Sequence, residues 1–588
     1  MRKRKIKKEG IRELRSLKRY LYKHRWGLLL GFIFILLTNG FSLLIPWILK
    51  YAVDGLKAGA TQRLLLQYAL LLLLVTCIQG VFRFLMRRKL IGISRKAEYD
   101  LRNDFFRHLE SLSPSFFHRW KTGDIMSRST NDLKAVRMVL GPGILHFFNT
   151  IIIATAAVTM MIVINPQLTL YALIPLPALS ILVKYLSAIL HRRYEKVQAH
   201  FSKLSSKVQE NLSGIKVVKA YAQEQNEMAS FQQMSNNYVT KNMAMVRVWG
   251  LFFPLMFLIA GLGMLVVLWM GGRDVIAGII SLGEFVAFNG YLIMLIWPMI
   301  ALGWVLSLLQ RGAASMKRIN QIFNQKPEII SPAKSAKISS IKGDIEFKRV
   351  SFSYNGRRVL NDINLRINQG MVLGIIGPVG CGKTTLVNLL PRFYDATEGE
   401  ILIDGVNIKE IPLDLLRSAI GYVPQDSFLF SDTLKNNIAF GLGNVTYEQM
   451  IKAAMMCRLD QEVAEFPGKF NSLVGERGLT LSGGQKQRAA LARAIIIEPR
   501  ILILDDAFSS VDTRNEEEIL AELKKFFKNR VTIIVSQRIS TIMDADLIIV
   551  LEEGNIIEKG SHKQLLAARG MYYRIYREQL LSQELEAY

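Results

Sequence analysis

Six apolar runs constrain this chain more than any other feature: 26–49, 64–85, 139–164, 168–190, 249–269 and 285–308. Each is near the ~20 residues that an α-helix needs to cross a bilayer. Inside hydrocarbon a backbone must satisfy its own hydrogen bonds, so runs of this length predict membrane-spanning helices. The third and fourth are joined by a tight turn at Asn165-Pro166-Gln167. Connections after the first, third and fifth runs are short. Those at 86–138 and 191–248 are long, rich in Lys, Arg, Asp, Gln and Ser, and helical in period, which predicts helical extensions into the cytosol. An even number of spans returns the chain to its starting side, so both ends are expected in the cytosol, with the chain multi-pass in the inner (plasma) membrane. No cleavable signal peptide is expected, because the first run is long and no small-residue cleavage site follows it.

The formal net charge of +27 raises nucleic acid as a partner, but its placement argues against it. Residues 2–25 are crowded with Lys and Arg directly ahead of the first span, the mark of a cytoplasmic flank. The partner implied is the lipid bilayer, and no nucleic acid. Ile11, Leu14, Leu17 and Leu21 recur at helical spacing among Arg12, Arg15, Lys18, Arg19 and Lys23. They suit a basic amphipathic helix on the inner membrane surface, or a solvated charged tail. Cys77, Cys381 and Cys457 lie far apart without metal spacing, so neither disulfides nor a thiolate metal site is expected.

Beyond residue 340 the pattern becomes that of an α/β domain. A buried-strand run, Val372-Leu373-Gly374-Ile375-Ile376, leads into Gly377-Pro378-Val379-Gly380-Cys381-Gly382-Lys383-Thr384, and a helical run follows from Leu386. Strand, glycine-rich loop and helix in that order form a phosphate cradle. Gly377, Gly380 and Gly382 let backbone N–H groups close around phosphate oxygens, Lys383 reaches the β- and γ-phosphates, and Thr384 ligates Mg2+. A second strand, Ile501–Leu504, ends in Asp505 and Asp506; the first of these is placed to hold Mg2+ directly or through water. The expected domains are 1–323, a linker 324–342 containing Pro327 and Pro332, and 343–588.

Between these motifs lies Leu481-Ser482-Gly483-Gly484-Gln485, ahead of a helix expected over 485–497. Phosphate loop, signature and acidic strand end together resemble an ATP-binding-cassette (ABC) nucleotide-binding domain. The resemblance covers all but the extreme N-terminus and is closest to bacterial multidrug-type half-exporters of the type IV fold. It implies an all-α six-helix transmembrane domain followed by an α/β P-loop ABC ATPase domain, with ATP and Mg2+ as cofactors. Two segments, one from Phe116 to Asp124 and one from Asn211 to Tyr221, resemble the coupling elements of exporters. By the same resemblance, Thr385 belongs to the nucleotide site, Gln425 senses Mg2+, and Ser509-Ser510-Val511-Asp512 communicates across a dimer. Ser482, Gly483, Gly484 and Gln485 would cap the γ-phosphate of an ATP held by the other subunit. Val474-Gly475-Glu476-Arg477-Gly478 resembles an exporter cross-linking loop, although Leu473 stands where the family commonly has Glu. Tyr354 matches the aromatic that stacks on adenine, or is a strand tyrosine facing the core.

Each ATPase motif occurs once and there are six spans, whereas an ABC exporter needs two sets, so this resembles a half-transporter that must pair with a second half-exporter subunit. Two departures indicate which half. The residue after the strand aspartate is usually Glu, which polarises the attacking water; here it is Asp506. The switch histidine is replaced by Gln537. A positioned general base contributes about 10²–10⁴-fold and must sit about 2.6–3.2 Å from its proton, and shortening Glu by one methylene withdraws it. The resemblance is thus to the degenerate-site subunit of a heterodimeric exporter, with Asp506, Gln537 and Ser482 as the residues that decide hydrolysis. Alternatives are a homodimeric slow exporter, with Asp506 working through a repositioned water, and an ATP-gated regulatory protein or channel. Charged residues are scarce in the middles of the spans, so a hydrophobic or amphipathic small-molecule substrate, a drug or a lipid, is expected. Phe252, Phe253, Phe257, Trp297 and Trp304 are candidates to line its path, or else face lipid or other helices.

Overall fold

A computed structural model describes residues 12–332, 338, 340–443, 445–475, 478 and 480–586. Ile11, the linker positions 333–337 and 339, and Glu476 and Arg477 lie outside the described residues. The chain forms two compact units: Met1–Glu110 with Lys121–Gln325, and Ser111–Trp120 with Lys326–Tyr588.

The first unit is helical. Among the described residues, five helices are long and apolar enough to cross a membrane: Arg25–Lys57, Gln62–Glu110, Thr122–Ile164, Glu224–Ile276 and Leu282–Phe323. The expected fourth span is laid across two helices instead, Pro166–Leu173 and Pro175–Ser213. Pro175 lacks the N–H that would continue the ladder, while Ile174 keeps helical dihedrals (φ −56°, ψ −41°). Asn165 makes the preceding turn: its backbone is extended and its side chain accepts from the Leu168 N–H at 3.0 Å.

The N-terminal segment forms a 3₁₀ turn, Leu14–Leu17, and a helix, Lys18–Lys23. It is not a solvated tail, because Leu17 and Tyr20 are buried. The Tyr20 hydroxyl donates to Asp104 at 2.9 Å and Lys23 pairs with Asp100 at 2.9 Å. Its charged face, with Arg12, Arg15, Lys18 and Arg19, stays exposed. At the start of Leu282–Phe323, a Cβ on Gly283 would meet the Lys50 carbonyl oxygen at 2.1 Å, so only glycine permits this approach. Asp54 there accepts from the Gly283 N–H and the Ser281 hydroxyl, both at 2.7 Å, and Lys50 pairs with Glu284 at 2.9 Å.

The second unit carries two sheets. Strands β1 (Ile345–Tyr354), β2 (Arg357–Ile367), β4 (Glu398–Ile403) and β5 (Val406–Asn407) form an antiparallel sheet in the order β2-β1-β4-β5. Strands β3 (Val372–Ile376), β6 (Ile420–Val423), β7 (Ile501–Asp505), β8 (Val531–Val535), β9 (Leu547–Glu552) and β10 (Asn555–Gly560) form the other, ordered β10-β9-β3-β8-β7-β6 and parallel except for β10. Strand β7 is buried on both faces, as a parallel strand between layers must be. Ile501 and Ile503 pack toward the antiparallel sheet; Leu502 and Leu504 pack toward helices such as Gly483–Ile495.

Ser111–Trp120 belongs to this unit through polar contacts. Glu328 accepts from Arg119 at 2.7 Å and from the hydroxyls of Ser113 (3.1 Å) and Ser115. These hydrogen bonds, Ser115 first, hold the Glu328 carboxyl below the usual carboxylate range. The Tyr394 hydroxyl lies 3.4 Å from His118 Nδ1.

Candidate functional site

Parallel pairing of β3 with β8 and of β8 with β7 brings three strand ends together, and a cleft opens over them. From the loop after β3 it is lined by Gly380, Gly382, Lys383, Thr384 and Thr385; from the end of β7 by Asp505 and Asp506; from the end of β8 by Ser536 and Gln537; and by Gln425. Val359, Val379 and Val535 complete the wall. Val359, in β2, and Ser536 carry no signal in the sequence beyond their neighbours.

The loop keeps its shape through its glycines. A Cβ on Gly377 would meet the Leu551 carbonyl oxygen at 2.0 Å, so Gly377 shapes the loop from below rather than lining the cleft. Gly382 sits at φ 105°, a left-handed conformation that glycine adopts without strain, and leads into the helix Lys383–Asn388. Lys383 Nζ donates to the carbonyls of Gly377 (2.7 Å) and Pro378 (2.9 Å). Those bonds park the ammonium over the loop, where a phosphate would offer a charged acceptor instead. Cys381 is buried beside it, and burial pushes its thiol up, the character of an inert packing residue.

Asp505 is 1% exposed. Its Oδ1 accepts from the Thr384 hydroxyl at 3.1 Å and its Oδ2 has no partner. Burial pushes its carboxyl up to about 6; the Thr384 hydrogen bond opposes this, the Asp506 carboxylate adds to it, and Lys383 opposes it. A buried carboxylate oxygen without a partner, beside a hydroxyl, is what a hard cation would satisfy. No group of three or more His, Cys, Asp or Glu able to hold a metal occurs among the described residues. Mg2+ bound with a nucleotide takes one or two protein oxygens and completes its shell with phosphates and water. The residues present therefore fit Mg2+ at Thr384 and Asp505.

The shift has a measurable consequence. Folded Asp505 holds its proton above the pH at which an unfolded Asp, near 3.8, releases it. Stability from this group is full below that pH and falls as pH rises toward about 6. The nucleotide-free protein should show this loss in its melting temperature. Asp505→Asn should flatten the profile between those values, and an unchanged slope in the variant would assign the dependence elsewhere.

Asp506 lies at φ 50°, its N–H bonded to the Val535 carbonyl at 2.9 Å. Its Oδ2 is 3.4 Å from the Gln425 amide nitrogen, a long contact. Asp506, Gln425 and Gln537 line the same cleft as Lys383. Tyr354 is not among the lining residues. It stands half-buried at the end of β1, edge-on to Phe352 (4.7 Å) and Tyr394 (5.3 Å).

The signature is also outside this cleft. Its helix runs Gly483–Ile495, beginning and ending two residues earlier than the 485–497 expected, because Ser482 is its N-cap. The Ser482 hydroxyl accepts from the Gln485 N–H at 3.2 Å and Gln485 Oε1 accepts from the Ser482 N–H at 2.9 Å. Gln485 thus has a structural task that its motif position did not reveal. Gly483 and Gly484 lie against Ser510, where a Cβ on Gly484 would meet the Ser510 carbonyl oxygen at 3.0 Å. Gln487 ties helix to loop: it donates to Ser509 at 2.7 Å and accepts from the Ser510 N–H at 2.8 Å. Asp512 then caps Thr513–Phe527. Leu473 is exposed and pairs with Thr433 as an isolated bridge.

Comparison with known proteins agrees with this architecture. A family model described as ABC transporter transmembrane region matches residues 28–299, and one described as ABC transporter matches residues 360–509. The probable multidrug resistance ABC transporter ATP-binding/permease protein YheI of Bacillus subtilis (strain 168) is 38% identical over 94% of this chain and 96% of its own. The multidrug resistance-like ATP-binding protein MdlA of Escherichia coli (strain K12) is 33% identical over 96% of this chain and 97% of its own. The structure of a bacterial Atm1-family ABC exporter with ATP bound superposes with a TM-score of 0.77 at 28% identity, covering 95% of this chain and 98% of that one.

Proposed function

The chain belongs to the ABC transporter family, as a half-transporter in which a membrane region and a nucleotide-binding domain are fused, and on that footing we propose that it is the degenerate-site half of a heterodimeric exporter. The cargo in this reading is a hydrophobic or amphipathic compound, consistent with spans poor in charge and with relatives named for multidrug resistance. The domains are 1–323 and 343–588, joined by 324–342, with the N-terminus and the ATPase domain on the cytosolic side of the plasma membrane.

One observation carries the proposal. The cleft brings together Lys383, Thr384 and Asp505, which suit phosphate and Mg2+, while the two positions that would activate and orient water are Asp506 and Gln537. Lys383 and the loop amides bind the phosphates. Thr384 and Asp505 would hold Mg2+, which would supply charge neutralisation for the phosphates. Gln425 and Asp506 stand 3.4 Å apart in the cleft; in this reading they take the terminal-phosphate end, where the shorter carboxylate is a poor base. The signature, outside this cleft, serves the nucleotide of the partner subunit. ATP binding closes the nucleotide domains and turns the membrane domains outward; hydrolysis at the partner's site resets them.

Purification through a tag on this chain, from its native membrane, tests the reading. A second half-transporter of different sequence, with Glu after its Walker aspartate, should accompany it. A stable dimer of this chain alone, hydrolysing ATP at the rate of the native preparation, overturns it.

A further inference from the structure

The C-terminal helix Met571–Glu586 makes a contact that the motifs do not foreshadow. Its start is fixed to the sheet. Glu558, in β10, accepts the backbone N–H groups of Met571 and Tyr572 (3.1 Å for the latter), and Tyr572 is fully buried with its hydroxyl 2.7 Å from His562 Nδ1. Two turns on, Gln579 reaches the segment that carries Gln537. Gln579 Nε2 donates to the Gln537 carbonyl at 2.6 Å, and Gln579 Oε1 accepts from the Ile539 N–H at 2.9 Å. The Ile539 N–H opens the short helix Ile539–Ile542, where intrahelical partners are lacking. A primary amide supplies a donor and an acceptor side by side, which suits a carbonyl and an N–H two residues apart in one segment. On the same segment, Glu516 accepts from Arg538 (2.7 Å) and from the Thr541 hydroxyl. Gln537 is thus flanked by two anchors, with its side chain lining the cleft beside Lys383, Asp505 and Asp506.

We propose that Gln579 is a positioning residue: the C-terminal helix is a strut that holds Gln537 against the terminal phosphate of the bound nucleotide. This rests on the reading of the cleft as an MgATP site. In the MgATP reading Gln537 takes the γ-phosphate end, so the strut acts on the one feature that separates ATP from ADP; the two bonds of the Gln579 amide go to Gln537 and Ile539, not to the phosphate loop. In this subunit it sets the preference for ATP over ADP, which keeps a slowly hydrolysing site occupied in the bound form.

The test is equilibrium binding of MgATP and MgADP to the full chain in lipid nanodiscs, with melting temperature measured in MgADP. Gln579→Met removes both contacts; Gln579→Glu keeps the acceptor for Ile539 and loses the donor to Gln537. Both variants should bind MgATP about fivefold more weakly, the scale of one net hydrogen bond, with MgADP affinity unchanged. MgATP and MgADP affinities that fall together, with a lower melting temperature, make Gln579 a packing residue only and overturn the proposal. So does a variant whose MgATP affinity equals that of the parent. A parent chain that binds neither nucleotide overturns the site reading itself.

Discussion

In the assembled transporter, Ser482→Arg should nearly abolish steady-state ATPase activity, while Asp506→Asn should lower it only modestly. Ser482 lies outside the cleft formed by its own Walker residues and caps an exposed helix start, with Gly483 and Gly484 in the first turn behind it. In the proposed pairing that start faces the partner's ATP, where hydrolysis occurs, and a bulky cation there prevents closure. Ser482→Ala separates the two consequences of losing serine. It removes the cap, costing about 1 kcal/mol of stability, without filling the interface. In the same proposal Asp506 lies beside this chain's own nucleotide, where Asn would remove a carboxylate too short to serve as an effective base. The measurement is ATPase rate against wild type, with assembly checked by gel filtration. If Asp506→Asn is the more damaging by about tenfold, a barrier difference of about 1.4 kcal/mol, this chain's own site is catalytic and the degenerate-subunit assignment falls.

Purified without its partner, the chain should bind MgATP and turn it over at well below about 1 s⁻¹, under the range of ordinary enzymes. Binding rests on Lys383, Thr384 and Asp505, which line the cleft together; Lys383 needs only to exchange two carbonyl partners for phosphate oxygens. Slow turnover rests on Asp506 and Gln537. Lys383→Ala should remove measurable MgATP binding while leaving the fold intact, since its bonds are to its own loop. Turnover of several per second by a verified single-chain preparation, or full binding by Lys383→Ala, contradicts the assignment of roles.

What the sequence determined by itself is local. Apolar length marks the spans, since a helix crossing hydrocarbon needs only its own residues to satisfy its backbone. The order strand, glycine loop, helix marks the phosphate cradle, and Asp506 and Gln537 are legible as departures because they sit inside contiguous motifs. Even local reading had limits: the fourth span is divided at Ile174 because Pro175 cannot donate, and the signature helix starts at Gly483 because Ser482 is its cap rather than a residue ahead of it. Only the tertiary structure decided which distant residues meet. Residues of β3, β7 and β8 are far apart in the chain and become neighbours through parallel pairing alone, which is why Lys383, Asp506 and Gln537 share one cleft. Tyr354 and the signature, though equally legible as motifs, do not line it. The hold of Gln579 on Gln537 was invisible for the same reason. A glutamine on a terminal helix has no signature of its own, and its partner is set by where Glu558 and Tyr572 dock that helix.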